Sequence, residues 1–419
     1  MLIILNVLFG LNNTVSYPKY SIMSVTWIIS QVFYPDETST GYVMTKIAET
    51  LSDNQTVNVI CGNADYQSKS LNASSKLNGN INIMRVNTPA LDKNRLRNRL
   101  LVFVLFTWAV FFRILFKIKK GDSVVVVTNP PTLIVLVGIL KKVKRFRYSI
   151  IMHDVFPENA VAAGALKADS FLYKFSLSFF NFSYRQADSL ICLGKDMAER
   201  FIAKGIETSK ISIIQNWADH HNIKPEPAID RNAYFNMNLD GKVVLQFAGN
   251  IGRVQGLEEF IKLFRKAANP SLVLVIIGDG AHKKILERYV QSNNIENVFF
   301  LDSKPRAEQQ TFLNSCDIGL VTVSEGMYGL GIPSKVYNIM SAGKAIFYIG
   351  DAGSEIDNYV QQNDIGWSFS WHDEQATIAR LASLHPGKLI TQKGETARQF
   401  VLAHFTQDII LQKYKAALQ

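Results

Sequence analysis

His153, Asp154 and Glu158 place three titratable side chains within six residues, directly after an apolar run, residues 148–152, that reads as a strand. Side chains delivered at the carboxyl end of a strand in an open α/β sheet sit where such sheets do their chemistry, so the trio is a candidate for acid and base work. A structural histidine fits the same residues. The second half of the chain carries a different chemistry. Apolar runs at 243–248, 272–277 and 318–323 each end in glycines. The first gives Gly249, Asn250, Gly252 and Arg253, the second Gly278, Asp279 and Gly280, and the third Gly326, Gly329 and Gly331. Glycine lets a backbone close on phosphate oxygens, and Arg253 can add charge-assisted bonds. After the third cluster, Pro333 suits a first helical turn, Ser334 can cap its free amides, and Gly343 stands where a short helix stops. That helix start attracts an anion. Lys335 in its first turn opposes the macrodipole and therefore needs either solvent or a bound anion. Asn338 lies one turn beyond Ser334 on the same face.

One glycine cluster is weak evidence. Three on the strand ends of one half should gather along one sheet edge, which points to a phosphate-bearing ligand facing a first half that offers His153 and Asp154.

Apolar runs at 25–30, 57–61, 81–86, 124–127, 148–152, 190–193 and 211–214 read as the strands of one α/β unit, and those at 243–248, 272–277, 298–301, 318–323 and 345–349 as a second. Thr40 and Gly41 open an amphipathic helix at 43–51, where glycine would let a ligand approach the backbone; a tight turn without a ligand fits equally well. A length of 419 residues asks for two domains. The expected division is an extension at 1–22, a first domain at 23–217, a polar linker at 218–240, a second domain at 241–399 and a final helix at 400–419. His220 and His221 read as solvated linker rather than metal ligands. The extension is apolar but lacks a basic leading region, so a second start at Met23 is the simpler reading. Three separated cysteines, Cys61, Cys192 and Cys316, suit a reducing compartment and argue against disulfides or a zinc site.

The net charge of +10 is local. From Lys93 to Arg147 there are thirteen Lys and Arg against the single acid Asp122, so the remainder is nearly neutral and a nucleic-acid binder is disfavoured. Within that span Arg95, Arg97 and Arg99 precede residues 100–112, which are apolar except for Thr107, and Arg113, Lys117, Lys119 and Lys120 follow. As a helix the run covers about 20 Å, short of the roughly 30 Å of a bilayer core. Basic ends and the rings of Phe103, Phe106 and Trp108 favour peripheral contact with anionic lipid over a purely internal helix.

The strings FAGNIGRVQGLEEFI, IGDGAHKKILERYV and PSKVYNIMSAGKAI, with HDVFPENAV and KISIIQNWAD earlier, resemble the retaining glycosyltransferases of family 4, in the branch that builds bacterial polysaccharides. The resemblance runs from about Met23 to near the end of the chain. It implies the GT-B fold, two Rossmann-like domains with parallel sheets facing across a cleft. The second domain would hold a nucleotide-sugar donor through Gly249, Asn250, Gly252, Arg253, Gly278, Asp279, Gly280, Ser334, Lys335 and Asn338. His153 and Asp154 would serve catalysis, and Thr40, Gly41 and Glu158 the acceptor side. No Asp-x-Asp occurs, which fits transfer without a metal. No cofactor is implied.

Two departures stand out. The family's Glu-x7-Glu would fall at Leu330 and Asn338, neither of them acidic, and the usual Arg and Lys of the phosphate loop are Asn250 and Gln255. The expected activity is sugar transfer from a nucleotide diphosphate to a lipid-linked or oligosaccharide acceptor at the cytoplasmic face of the plasma membrane. A nucleotide-sugar epimerase of the same fold and a non-catalytic transferase subunit are the alternatives.

Overall fold

Continuous Val, Ile and Leu runs become strands buried on both faces, as parallel sheets between helices require. The structure, a computed structural model, describes residues 25–36, 38–63, 77, 79–89, 91 and 96–419. The extension at 1–22, the start at Met23, Lys93, Arg95 and the Arg99 side chain lie outside the described residues.

The first sheet joins β1 (Thr26–Ile29), β2 (Val57–Gly62), β3 (Ile81–Val86), β4 (Ser123–Val127), β5 (Arg147–Met152), β6 (Ser189–Cys192) and β7 (Ile211–Ile213), in the order β3-β2-β1-β4-β5-β6-β7. The second joins β8 (Val243–Ala248), β9 (Leu272–Ile277), β10 (Val298–Leu301), β11 (Ile318–Thr322), β12 (Ala345–Gly350) and β13 (Gly366–Ser370), in the order β10-β9-β8-β11-β12-β13. All pairings are parallel. Strand order reverses between β1 and β4 and again between β8 and β11. Loops part at such points and leave a crevice beyond the strand ends.

Three sequence expectations change. The helix expected at 100–112 extends over Leu96–Lys117, 22 residues, because basic residues continue the helical register beyond the apolar run. Among the described residues it is the one helix long and apolar enough to cross a membrane by length and composition. It nevertheless lies along its domain, since Phe106, Val110 and Ile114 form one fully buried stripe, which Ile118 continues just past the helix end. The polar stretch 218–240 is structured: Ala218, Asp219, Ile223, Phe235 and Leu239 are buried, and Arg231 Nη1 bonds Asp317 Oδ2 at 2.8 Å. The end of the chain is two helices, Lys388–His404 and Gln407–Leu418. The second reaches the first domain, where Tyr42 Oη donates to Gln407 Oε1 at 2.8 Å.

Candidate active site

Pairing of β8 with β9 sets Ala248 opposite Ile277, so Gly249 and Gly278 leave the sheet side by side. Gly249 N donates to Ile277 O and Ile251 N to Asp279 O, each at 2.9 Å. A Cβ on Gly278 would lie 1.9 Å from Gly249 O, and one on Gly280 2.4 Å from Ile251 O. Both residues have positive φ, +153° and +158°. Here glycine serves close backbone contact. Gly278→Ala should cost about 2–4 kcal/mol, whereas Gly326→Ala, at φ +83° with open space around its Cβ, should cost about 1 kcal/mol. Urea unfolding of the two variants checks the difference.

Lys335 enters this same edge from beyond β11. Its Nζ lies 3.2 Å from the Phe247 ring centroid and 3.4 Å from Gln255 Oε1, and it lines the space a Gly249 Cβ would enter at 3.5 Å. No carboxylate pairs with it among the described residues. Burial pushes its pKa well below the ordinary lysine value. An ammonium held against a ring and one long amide contact is a charge waiting for an anion. Arg253 is exposed nearby in a single 3-10 turn, Arg253–Gln255, with no carboxylate paired to its guanidinium among the described residues.

The first domain meets this edge from β5. Thr128 Oγ1 accepts from His153 N at 3.2 Å and Asp154 N at 3.1 Å, fixing the loop as it leaves the strand. Asp154 forms an antiparallel bridge with Gly331, and Val155 N donates to Leu330 O at 2.9 Å, so the acid/base loop touches the third glycine cluster directly. Asp154 Oδ1 accepts from Asn159 Nδ2 at 2.7 Å. Burial raises the Asp154 carboxyl to about 6, against the lowering effect of Asn159. Burial lowers His153 to about 4, which makes its ring neutral at physiological pH. Thr40 Oγ1 lies 3.3 Å from His153 Nδ1, and His153 Nε2 is buried with no partner among the described residues. A buried ring nitrogen left open beside a carboxylate of raised pKa can bond a sugar hydroxyl.

Ser334, His153, Asp154 and Thr40 therefore lie along one seam, and Lys335 follows Ser334 with its Nζ turned to the Gly249 loop. Some expected residues serve otherwise. Ser334 does not cap its helix: its backbone is already helical, with ψ −19°, and its hydroxyl lies 3.3 Å from Ser39 Oγ across the domain boundary. Asn338 is turned toward the hinge, accepting from Asp219 N at 2.9 Å and donating to Gln309 Oε1 at 3.3 Å. Glu158 is ion-paired with Lys204. Gly41 is packed inside its helix start, where Thr38 Oγ1 accepts its N–H at 3.3 Å. Phe106 faces the core and the half-buried Arg113 is tied to the Ala109 and Arg85 carbonyls, while Arg97 and Trp108 are exposed.

Comparison with known proteins supplies the class. Residues 232–399 match the family described as Glycosyl transferases group 1. Over 331 residues the chain is 32% identical to the probable glycosyltransferase WbjE of Pseudomonas aeruginosa, covering 79% of this chain and 82% of that one. The chain belongs to the group 1 glycosyltransferases. This transferase is also 23% identical, over 54% of its length and 56% of the relative's, to WcaI of Escherichia coli K12, whose name places it in colanic acid biosynthesis. Its fold is that of HepE from Anabaena in complex with UDP and glucose, with TM-score 0.70, 15% identity, and coverage of 94% of this chain and 99% of that one. The two parallel-sheet domains of this transferase are the GT-B architecture.

Sequence reading missed Arg306, whose guanidinium stacks 3.7 Å above the Tyr42 ring and bonds Asp219 Oδ2 at 3.3 Å. Only the fold joins those three residues, which come from different segments. It also missed Tyr184, on the helix Phe171–Gln186, whose hydroxyl donates to Phe156 O at 2.8 Å and so braces the loop that carries Asp154.

Proposed function

We propose that this transferase moves a sugar, with retention, from a UDP- or GDP-sugar to a lipid-linked glycan in cell-surface polysaccharide synthesis, without a metal. The carrying observation is Lys335: an ammonium with no carboxylate partner among the described residues, lying against the Gly249 loop and following in sequence the Gly331 backbone that bridges to Asp154. Lys335, Arg253 and the amides that start the helix Lys335–Ser341 neutralise the departing diphosphate. His153 Nε2 bonds a hydroxyl of the donor sugar, and Asp154 manages the acceptor proton. HepE, of the same fold, is known in complex with UDP and glucose, and WcaI is named for colanic acid biosynthesis; both support the donor and pathway class.

The reading extends to location. The basic, aromatic segment from Arg97 to Lys120 rests on the inner face of the plasma membrane and brings the acceptor's lipid within reach. A panel of nucleotide sugars, read first by calorimetry and then by donor hydrolysis, tests the assignment. Arg253→Ala should raise KM about tenfold for the true donor, as expected of one exposed charge-assisted contact. A protein that binds a nucleotide sugar but never hydrolyses or transfers it would be a non-catalytic subunit, the reading that Leu330 and Asn338 leave open.

A further inference from the structure

The helix Phe171–Gln186 does two things at once. Its inner residues Phe180 and Tyr184 are buried against Phe156 in the catalytic loop, with ring centroids of Phe156 and Phe180 6.1 Å apart. Its outer residues Phe171, Leu172, Phe175 and Phe179 are exposed, Phe171 by 80%, and form a ladder of rings at 5.9 and 4.8 Å. Exposed aromatic rings one turn apart are unusual on a surface facing water.

This ridge belongs to a wider face. The helix Thr132–Lys144 lies between it and Leu96–Lys117, held on one side by Gly138 against Ser183 and on the other by Thr107 Oγ1 at 2.6 Å from Thr132 Oγ1. Among the described residues nineteen large apolar side chains are exposed, and thirteen lie on these three neighbouring helices, so the exposed apolar surface is concentrated there. At the foot of the middle helix Lys141, Lys142, Arg145 and Arg147 line a hollow of about 520 Å³ with Asp188 as its one acid. Lys141 pairs with Asp188 at 2.5 Å, leaving the other three cations in surplus.

We propose that Phe171–Gln186 is a second membrane-docking helix: its phenylalanine ridge enters the acyl region beside Trp108 and Phe112, while the hollow at Lys142, Arg145 and Arg147 receives an anionic lipid headgroup. Apolar area alone would suit a second copy of the chain; the cation surplus at its border commits the face to an anionic bilayer. Because Tyr184 on the same helix braces the Asp154 loop, docking sets the reactive seam at a fixed height above the lipid. This proposal rests on the membrane contact assigned above to the Arg97 to Lys120 segment.

The test is co-sedimentation of the full chain with phosphatidylcholine vesicles, with and without phosphatidylglycerol, alongside thermal melting. Parent protein should bind the anionic vesicles. Phe171→Glu with Phe175→Glu should keep the melting temperature and lower partitioning about a hundredfold, as expected of two large apolar side chains withdrawn from lipid. Arg145→Glu with Lys142→Glu should abolish the preference for phosphatidylglycerol. Partitioning unchanged in the double phenylalanine variant, but lost in Trp108→Glu with Phe112→Glu, would overturn the second helix and leave the first contact standing. A parent that ignores both vesicles removes the membrane reading itself. A lipid-free dimer that the phenylalanine variant dissolves would assign the face to a second copy.

Discussion

Lys335→Met should lower kcat about 10²- to 10³-fold, the effect of removing one preorganised donor to developing charge in a dry site, while making the donor-free protein more stable. The two effects share one cause. Burial against Phe247 without a carboxylate lowers the Lys335 pKa well below its ordinary value of 10.5. The unfolded chain then holds the proton more tightly than the folded one. Stability therefore rises with pH between the lowered folded value and 10.5, and at neutral pH the lysine is a cost that methionine removes. A donor diphosphate reverses the balance, because an anion beside the ammonium favours the charged form. Donor binding should therefore take up protons at pH values between the lowered folded value and 10.5, where the unbound lysine has lost its own. Calorimetry in buffers of different ionisation enthalpy measures that uptake, and the methionine variant should show none. A variant that keeps more than a tenth of the parent's turnover would remove Lys335 from the diphosphate site.

The sequence shows the sheets more clearly than the site. Bounds of β8 and β9 match their apolar runs because a strand buried on both faces needs nearly uninterrupted apolar residues, so its limits coincide with a change of residue type; the bounds of the less buried edge strands β3 and β10 match as well. The residue pattern does not mark β13: Gly-Trp-Ser-Phe-Ser is short and interrupted by serines, and its last three residues are only partly buried. Gathering of the glycine ends was legible because β9, β8 and β11 are neighbours in a parallel sheet, an arrangement that connection rules favour.

Side-chain direction was not legible. Serine in front of a helix suggested a cap, but the backbone of Ser334 is already helical, which turns the hydroxyl toward Ser39 instead. Phe106 and Trp108 are two residues apart and looked alike as lipid contacts; on a helix that spacing puts one ring in the core and leaves the other 60% exposed. The helix Phe171–Gln186 escaped notice because serines and an asparagine break its apolar count, though its ring spacing at 171, 175 and 179 is helical.

Asp154→Asn should stabilise the fold and nearly abolish transfer. The folded carboxyl titrates at about 6 against 3.8 for an ordinary aspartate, because burial penalises its charge more than Asn159 relieves it. Between those two values the folded state binds more protons than the unfolded chain. Stability thus falls as pH rises through this window, and above it the ionised Asp154 costs about 3 kcal/mol, two pKa units at about 1.4 kcal/mol each. Asparagine preserves the shape and the bond from Asn159 without the charge, so urea unfolding at pH 7 should show a gain approaching that figure and none at pH 4. Catalysis should move the opposite way. Losing a positioned proton carrier costs about 10²- to 10⁴-fold, and the acid limb of kcat/KM expected near pH 6 in the parent should vanish. His153, at about 4, is neutral throughout and cannot supply that limb. Lost activity without any stability gain would instead mean that the ionised carboxylate is solvated or paired in the free protein. A stable variant that still transfers sugar with the limb intact would move the proton to another group.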